Sequence, residues 1–167
     1  MSGLRFVPVT APGQIQAVAA LAERIWKEHY SSILKPEQID YMVEKFQSAP
    51  AISDQLAHQN YRYYLLNADG ADVGYAAVQP GEDALFLSKL YLSREFRGRG
   101  YASRTLQFLE SLCRQLKLPK IWLTVNRFNS GSIAAYQKLG FETVRTQVAD
   151  IGHGYVMDDY IMEKPVL

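Results

Sequence analysis

A chain of 167 residues, 48% of them hydrophobic and 21% charged, can bury one sizeable core but would be cramped as two domains, so one domain over residues 1–167 is expected. The formal net charge of +1 gives no general attraction to nucleic acid or to an acidic membrane, and the lone Cys113 rules out an internal disulfide framework or a cysteine-built metal cage. No run approaches eighteen apolar residues and the three histidines, at 29, 58 and 153, lack ligand spacing, so the expectation is a cytoplasmic protein with no membrane, nucleic-acid or metal partner.

Residues 4–9 read as a first strand. Thr10-Ala11-Pro12 follows as a helix start, with a capping hydroxyl and an early proline. Ile15, Val18, Leu21 and Ile25 recur at helical spacing to about residue 29, and Pro36 opens a second helix whose apolar face is Ile39, Met42 and Phe46. A short third helix starts at Pro50 and ends near Gln59. Residues 61–66 and 73–78 then read as two strands joined by the turn Asn67-Ala68-Asp69-Gly70, an antiparallel hairpin. Residues 84–92 are mostly apolar, as expected of a strand covered on both faces.

From Ala102 the apolar positions Ala102, Leu106, Leu109, Cys113 and Leu116 fall on one helical face, which makes Cys113 a packing residue rather than a nucleophile. Leu118-Pro119 stops that helix, and residues 121–125 form a buried strand. Asn129 caps a helix running to about Leu139, and Gly140 ends it. Residues 141–148 and 155–163 make a final strand pair around Asp150-Ile151-Gly152-His153-Gly154. The order predicts a mixed α/β sheet in which strands 84–92 and 121–125 are parallel neighbours joined by a helical crossover. Ligands of such sheets bind beyond the carboxyl ends of the central strands, where both residues 97–103 and residues 126–129 fall.

The first of these segments joins a buried strand to a helix N-terminus. Its backbone N–H groups lack intrahelical partners there, and the helix dipole is positive. Gly98, Gly100 and Ala102 would let an anion approach the backbone, and Arg97 and Arg99 add charge, so a phosphate or pyrophosphate is the natural ligand. The two common nucleotide motifs do not fit. A dinucleotide fingerprint from Gly98 would need glycine at Ser103, and no Gly-Lys-Ser/Thr of a P-loop is present.

Arg97-Gly98-Arg99-Gly100-Tyr101-Ala102 resembles the Arg/Gln-x-x-Gly-x-Gly/Ala signature of the GCN5-related N-acetyltransferases (GNAT family). Asn129, followed by a small-residue helix ending in Tyr136-Gln137-Lys138-Leu139-Gly140-Phe141, resembles that family's second hallmark. Ser132 departs from the alanine often found there. The resemblance implies an α+β fold: a mostly antiparallel seven-stranded sheet with a splayed parallel central pair, flanked by helices. It implies acetyl-coenzyme A as cofactor and transfer of its acetyl group to an amine.

By the same resemblance, main-chain groups of Leu90, Tyr91 and Leu92 would pair with the pantetheine arm and polarise the thioester carbonyl. Residues 97–103, including Tyr101 and Ser103, would hold the pyrophosphate, Lys138 would contact the cofactor, and Asn129 would contact the cofactor or position water. Tyr136 would act as general acid, giving its proton to the departing thiolate in a transfer expected to run downhill. A base is missing from its usual position, which is Ser88 here with Lys89 beside it. The expectation is therefore a water relay ending at Glu82, Asp83 or a carboxylate of the C-terminal pair.

The segment ADIGHGYVMDDY carries Asp150, Asp158 and Asp159. Adjacent aspartates on a strand face opposite ways, so at most one of Asp158 and Asp159 joins a common pocket. Read as an anionic wall, with Trp26, His29, Tyr30 and Tyr41 as an aromatic rim, these residues would suit a cationic amine. That segment, with LSKLYL and LTVNRFN upstream, looks similar to bacterial polyamine acetyltransferases of the spermidine/spermine type. The alternatives are acetylation of a protein N-terminus or lysine, and a non-catalytic acyl-coenzyme A sensor. Exposed final strands would also suit a homodimer.

Overall fold

The computed structural model describes residues 3–166. Its elements follow one another as β1 (Leu4–Pro8), α1 (Pro12–Tyr30), α2 (Pro36–Gln47), α3 (Ala49–His58), β2 (Arg62–Ala68), β3 (Ala71–Pro80), β4 (Leu85–Leu92), α4 (Tyr101–Gln115), β5 (Lys120–Asn126), α5 (Ser130–Lys138), β6 (Glu142–Gly152) and β7 (Tyr155–Pro165). The strands form one sheet in the order β1-β2-β3-β4-β5-β7-β6. Every pairing is antiparallel except β4 with β5, the pair joined by the α4 crossover.

Alternation along the strands sends two sets of side chains to opposite faces. Tyr63, Leu65, Tyr75 and Ala77 pack against Val18, Ile25, Trp26 and Ile52 of the first three helices. Val78, Leu85, Leu87, Leu123 and Val125 pack instead against Leu106, Leu109 and Cys113 of α4. Among the described residues no helix is long and apolar enough to cross a membrane.

The structure amends several local expectations. α1 is not capped by the Thr10 hydroxyl. Gln14 turns back, and its Oε1 accepts from the N–H of Thr10 at 2.7 Å and of Ala11 at 2.9 Å. The buried face of α4 is Tyr101, Thr105, Leu106, Leu109, Leu112 and Cys113, which leaves Ala102 on a different side. β6 runs on through Gly152, so the final turn contracts to His153-Gly154.

The largest amendment concerns β4. Only Leu85 and Leu87 are fully buried in it, and residues 88–92 are half-buried. Register with β3 explains this. Pairing jumps from Val78↔Leu87 to Ala77↔Lys89, so Ser88 is an extra, bulged residue. Before the bulge Leu85 and Leu87 face α4, whereas after it Leu90 and Leu92 do, and Tyr91 packs on the α1 side. Ser88 and Lys89 therefore share the α1 face. Ser88 is hydrogen-bonded to Tyr61, and Lys89 Nζ lies 5.9 Å from the Trp26 ring centre.

Candidate active site

β4 and β5 pair only at Leu85↔Ile121 and Phe86↔Trp122 and then diverge. Main-chain groups of residues 87–92 on the β5 side have no strand partner. The gap holds a cavity of about 50 Å³ lined from both faces, by Leu87, Leu90, Leu123 and Tyr136 and by Tyr30, Ser88 and Thr124. A cleft of about 600 Å³ shares Leu90, Tyr91, Asn129 and Tyr136 with that cavity and runs past Arg97, Gly98 and Ala102.

The turn beside the cleft leaves a run of donors open. Phe96, Arg97 and Arg104 N–H bond to Ser93, Arg94 and Gly100 carbonyls, but among the described residues no acceptor meets the N–H of Gly98, Arg99, Gly100, Tyr101, Ala102 or Ser103. Gly98 (φ +77°) and Gly100 (φ +80°) turn the chain through the left-handed region, and a Cβ at either would meet nothing within 4 Å. Glycine is thus required by backbone angle rather than crowding. Six amides at a helix N-terminus suit a diphosphate.

On the cleft wall, Asn129 Oδ1 accepts from Ser132 N–H at 3.2 Å and caps α5. Its amide nitrogen must then be the atom 2.6 Å from His29 Nε2. That ring nitrogen is the acceptor, so the imidazole carries its proton on Nδ1. Burial and the Arg97 charge lower the His29 pKa to about 4, which keeps the ring neutral.

Tyr136 is half-buried, and removal of its phenol from water together with the nearby Tyr30 pushes the group well above its usual pKa. An ordinary phenol (about 10) is already a weaker acid than a thiol (about 8.5), so proton transfer from Tyr136 to a thiolate runs uphill, not downhill. The Tyr136 side chain thus presents a neutral O–H donor on the wall of the cleft.

Across the gap, on the α1 face, the Tyr30 and Tyr91 hydroxyls meet at 3.0 Å. Asp159 of β7 lies opposite Asn126 of β5 and is 6% exposed, and its Oδ1, like that of Asp158, has no partner among the described residues. Burial and the Asp158 charge raise its pKa to about 6, against an opposing pull from Lys89. Burial lowers the Lys89 pKa to about 8, against the pull of Asp159.

The model of the acetyltransferase (GNAT) family matches residues 18–141, well over half of the chain. The chain belongs to the GNAT family. It is an N-acetyltransferase, 27% identical over 151 residues to an uncharacterized N-acetyltransferase of Mycobacterium tuberculosis, covering 90% of this chain and 96% of the relative. A second uncharacterized N-acetyltransferase, from Lactobacillus delbrueckii, is 20% identical over the whole of both chains. Among solved structures, the PaiA N-acetyltransferase of Thermoplasma acidophilum in complex with coenzyme A matches 99% of each chain with a TM-score of 0.82 at 21% identity. A spermidine N-acetyltransferase SpeG chimera from Vibrio cholerae matches 98% of this chain and 95% of its own, with a TM-score of 0.67 at 16% identity. These two likenesses show the fold, and the seven-stranded sheet with its one parallel pair agrees with it.

Several residues expected at the site of this N-acetyltransferase lie elsewhere. Lys138 is exposed at the end of α5 and outside the cleft lining. The Tyr101 side chain is core, packed with Leu4, Leu66 and Val73, so only its backbone faces the turn. Arg99 is exposed, its guanidinium 5.5 Å from the Phe96 ring centre. Trp26 is 3% exposed and donates to Tyr75 OH at 2.9 Å, which makes it core rather than rim. Tyr41 is tied down as well, its hydroxyl on the Ile151 carbonyl at 2.7 Å.

The anionic wall is largely occupied. Asp158 pairs with Arg127 at 3.3 Å, and Asp150 Oδ1 accepts from Gly152 N–H at 2.8 Å. Glu82 and Asp83 precede β4, at the opposite end of that strand from Leu90 to Leu92, and cannot end a relay at the gap. Lys89 is the feature the sequence hid: strict alternation would send it to the α4 face, and no glycine or proline marks the bulge that sends it to the other.

Proposed function

We propose that the whole chain, residues 1–167, acts as one domain that transfers an acetyl group to a primary amine of a small molecule. Acetyl-coenzyme A is the cosubstrate. The observation that carries this reading is the run of six amides from Gly98 to Ser103 with no acceptor among the described residues, beside a strand pair that opens a gap next to Tyr136.

The residues fit that donor. The amides and Arg97 would hold its diphosphate, the open β4 edge at Leu90, Tyr91 and Leu92 its amide-bearing arm, and Asn129, fixed by Ser132 and His29, the wall alongside. The cosubstrate supplies an activated acetyl thioester. A main-chain N–H of β4 polarises its carbonyl, and the Tyr136 O–H stabilises charge gathering on sulfur by hydrogen bonding. The proton that finally reaches sulfur is replaced by the one the amine releases on being acylated.

Within small amines we take a polyamine as the first candidate. The open Asp159 oxygen and the tyrosine surface of Tyr30 and Tyr91 favour a cationic chain, while Lys89 on the same face limits the charge it accepts. A homodimer through β6 is the assembly we propose, since Val144 and Val148 of this edge strand are 49% and 67% exposed.

Release of free thiol from acetyl-coenzyme A, measured with spermidine, spermine, aminoglycosides and peptides, tests the reading. Release with one or more small amines and none with peptides is expected. Release with peptides alone would make this a protein acetyltransferase. Thermal stabilisation by coenzyme A with no release from any acceptor would make it a sensor.

A further inference from the structure

Acetyl transfer requires a neutral amine, yet an ordinary alkylamine, with a pKa of about 10.4, arrives protonated at neutral pH. The β4 residue where a carboxylate was sought is Ser88, whose hydroxyl is no base at that pH. The structure offers another group on the same face. Asp159 Oδ1 is a carboxylate oxygen with no partner among the described residues, on a side chain 94% removed from solvent (6% exposed). An oxygen so withdrawn from water and left unbonded is costly unless something else meets it.

The bulge at Ser88 turns Lys89 toward that same face. Its Nζ has one hydrogen-bond partner among the described residues, Ser88 Oγ at 2.7 Å, and no ion pair within 4.0 Å. The charges of Lys89 and Asp159 each bear on the ionisation of the other, with no ion pair between them within 4.0 Å among the described residues.

Building on the acetyl-transfer reading above, we propose that Asp159 Oδ1 takes the proton from the acceptor amine, and that Lys89, turned to the same face by the bulge, is the positioning cation that keeps this carboxylate ionised. The proton passes from R–NH₃⁺ to Asp159. The freed nitrogen pair forms the N–C bond as the C–S bond breaks, and its electrons leave with sulfur. The second N–H proton ends on sulfur, and Asp159 returns its proton to solvent, giving an amide, a thiol and one H⁺.

The other groups facing Asp159 agree with this role. Its strand neighbour Asp158, itself paired with Arg127, raises its pKa, and Tyr30 of α1 feels its charge. Its cross-strand partners Asn126 of β5 and Gln147 of β6 do not titrate, and Lys89 of β4 is a cation acting on it. The balance leaves a pKa of about 6, so the carboxylate is mostly ionised at pH 7 and is a stronger base than an ordinary aspartate.

The test combines Asp159→Asn, Lys89→Met and the unaltered protein. Asp159→Asn should lower kcat/KM at pH 7 by about 100-fold or more, with loss recovering as pH rises and the amine deprotonates unaided, while calorimetric affinity for coenzyme A stays within twofold. Lys89→Met should shift the acid limb of the kcat/KM profile, and the carbon-13 carboxyl titration of Asp159 in the free protein, upward from about 6 by at least half a pH unit.

A turning-over enzyme indifferent to Asp159→Asn from pH 6 to 9 overturns this inference alone. So does an unmoved Asp159 titration in Lys89→Met, a readout that survives even if the Asn variant does not fold. Absence of turnover by the unaltered enzyme with every acceptor overturns the transfer reading and this inference together.

Discussion

On the α4–α5 face of the sheet six consecutive main-chain N–H groups, from Gly98 to Ser103, stand without an acceptor among the described residues. On the α1–α3 face five side chains are strung together with hardly a gap: Trp26 donates to Tyr75, Tyr75 to Gln47, Gln47 to Tyr63 and Tyr63 to Gln55, all between 2.5 and 2.9 Å. The difference separates two kinds of polar group. Those at a helix N-terminus remain hydrated until a ligand replaces water, so leaving them open costs little. Those between a sheet and its helices are dry, and each must be satisfied within the fold. Among the described residues the exceptions include Asp158 and Asp159, each with an unpartnered Oδ1, and Lys89 with one neutral partner, and it is at Asp159 and Lys89 that chemistry is proposed.

The sharpest way to break the contrast is at Tyr136, which reaches the gap from the open face. Tyr136→Phe removes the O–H and leaves the ring on Phe141, 5.6 Å between centres. Turnover should fall by about 10²–10³-fold in single-turnover thiol release, with donor affinity unchanged. If turnover holds within threefold, sulfur is stabilised by something other than this phenol.

Next in size is the satisfied face. Gln47→Leu strands the buried Tyr75 hydroxyl without its acceptor, at a cost of about 1–3 kcal/mol in urea unfolding. Affinity for coenzyme A should not change, because the network lines the other side of the sheet. A loss of affinity equal to the loss of stability would mean the two faces are not independent.

The smallest effect belongs to the open donors. Gly98→Ala forces a side chain into φ +77°, worth about 1–2 kcal/mol of backbone strain, so affinity for coenzyme A should drop about tenfold as the turn relaxes and its amides lose aim. Unchanged affinity would mean that amides of this turn do not carry the diphosphate.

The open face was readable from sequence and the closed face was not. Gly98 and Gly100 announce a backbone that few other residues adopt, Asn129 announces a cap, and the three-and-four spacing from Leu106 to Cys113 announces a crossover helix, so the parallel central pair and the place of the cleft beside it could be drawn in advance. On the other face the same residue types carry two meanings. Trp26 and Tyr41 suit an aromatic rim as well as they suit a core, and only tertiary contacts decide for the core. Asp150, Asp158 and Asp159 read as one acidic cluster until folding gives Asp150 and one oxygen of Asp158 their partners and leaves Oδ1 of Asp158 and the carboxylate of Asp159 without one among the described residues. Alternation misreads Lys89 because nothing in LFLSKLYL marks where the period slips by one.

The slip at Ser88 gives β4 a constraint of length as well as composition. Remove that one residue and each side chain downstream is mirrored: Tyr91 turns toward α4, and Leu90 and Leu92 turn toward Trp26. Sequence drift in this stretch can therefore exchange one side chain for another far more easily than it can gain or lose a codon, because a single-residue indel would rewire both walls of the gap at once.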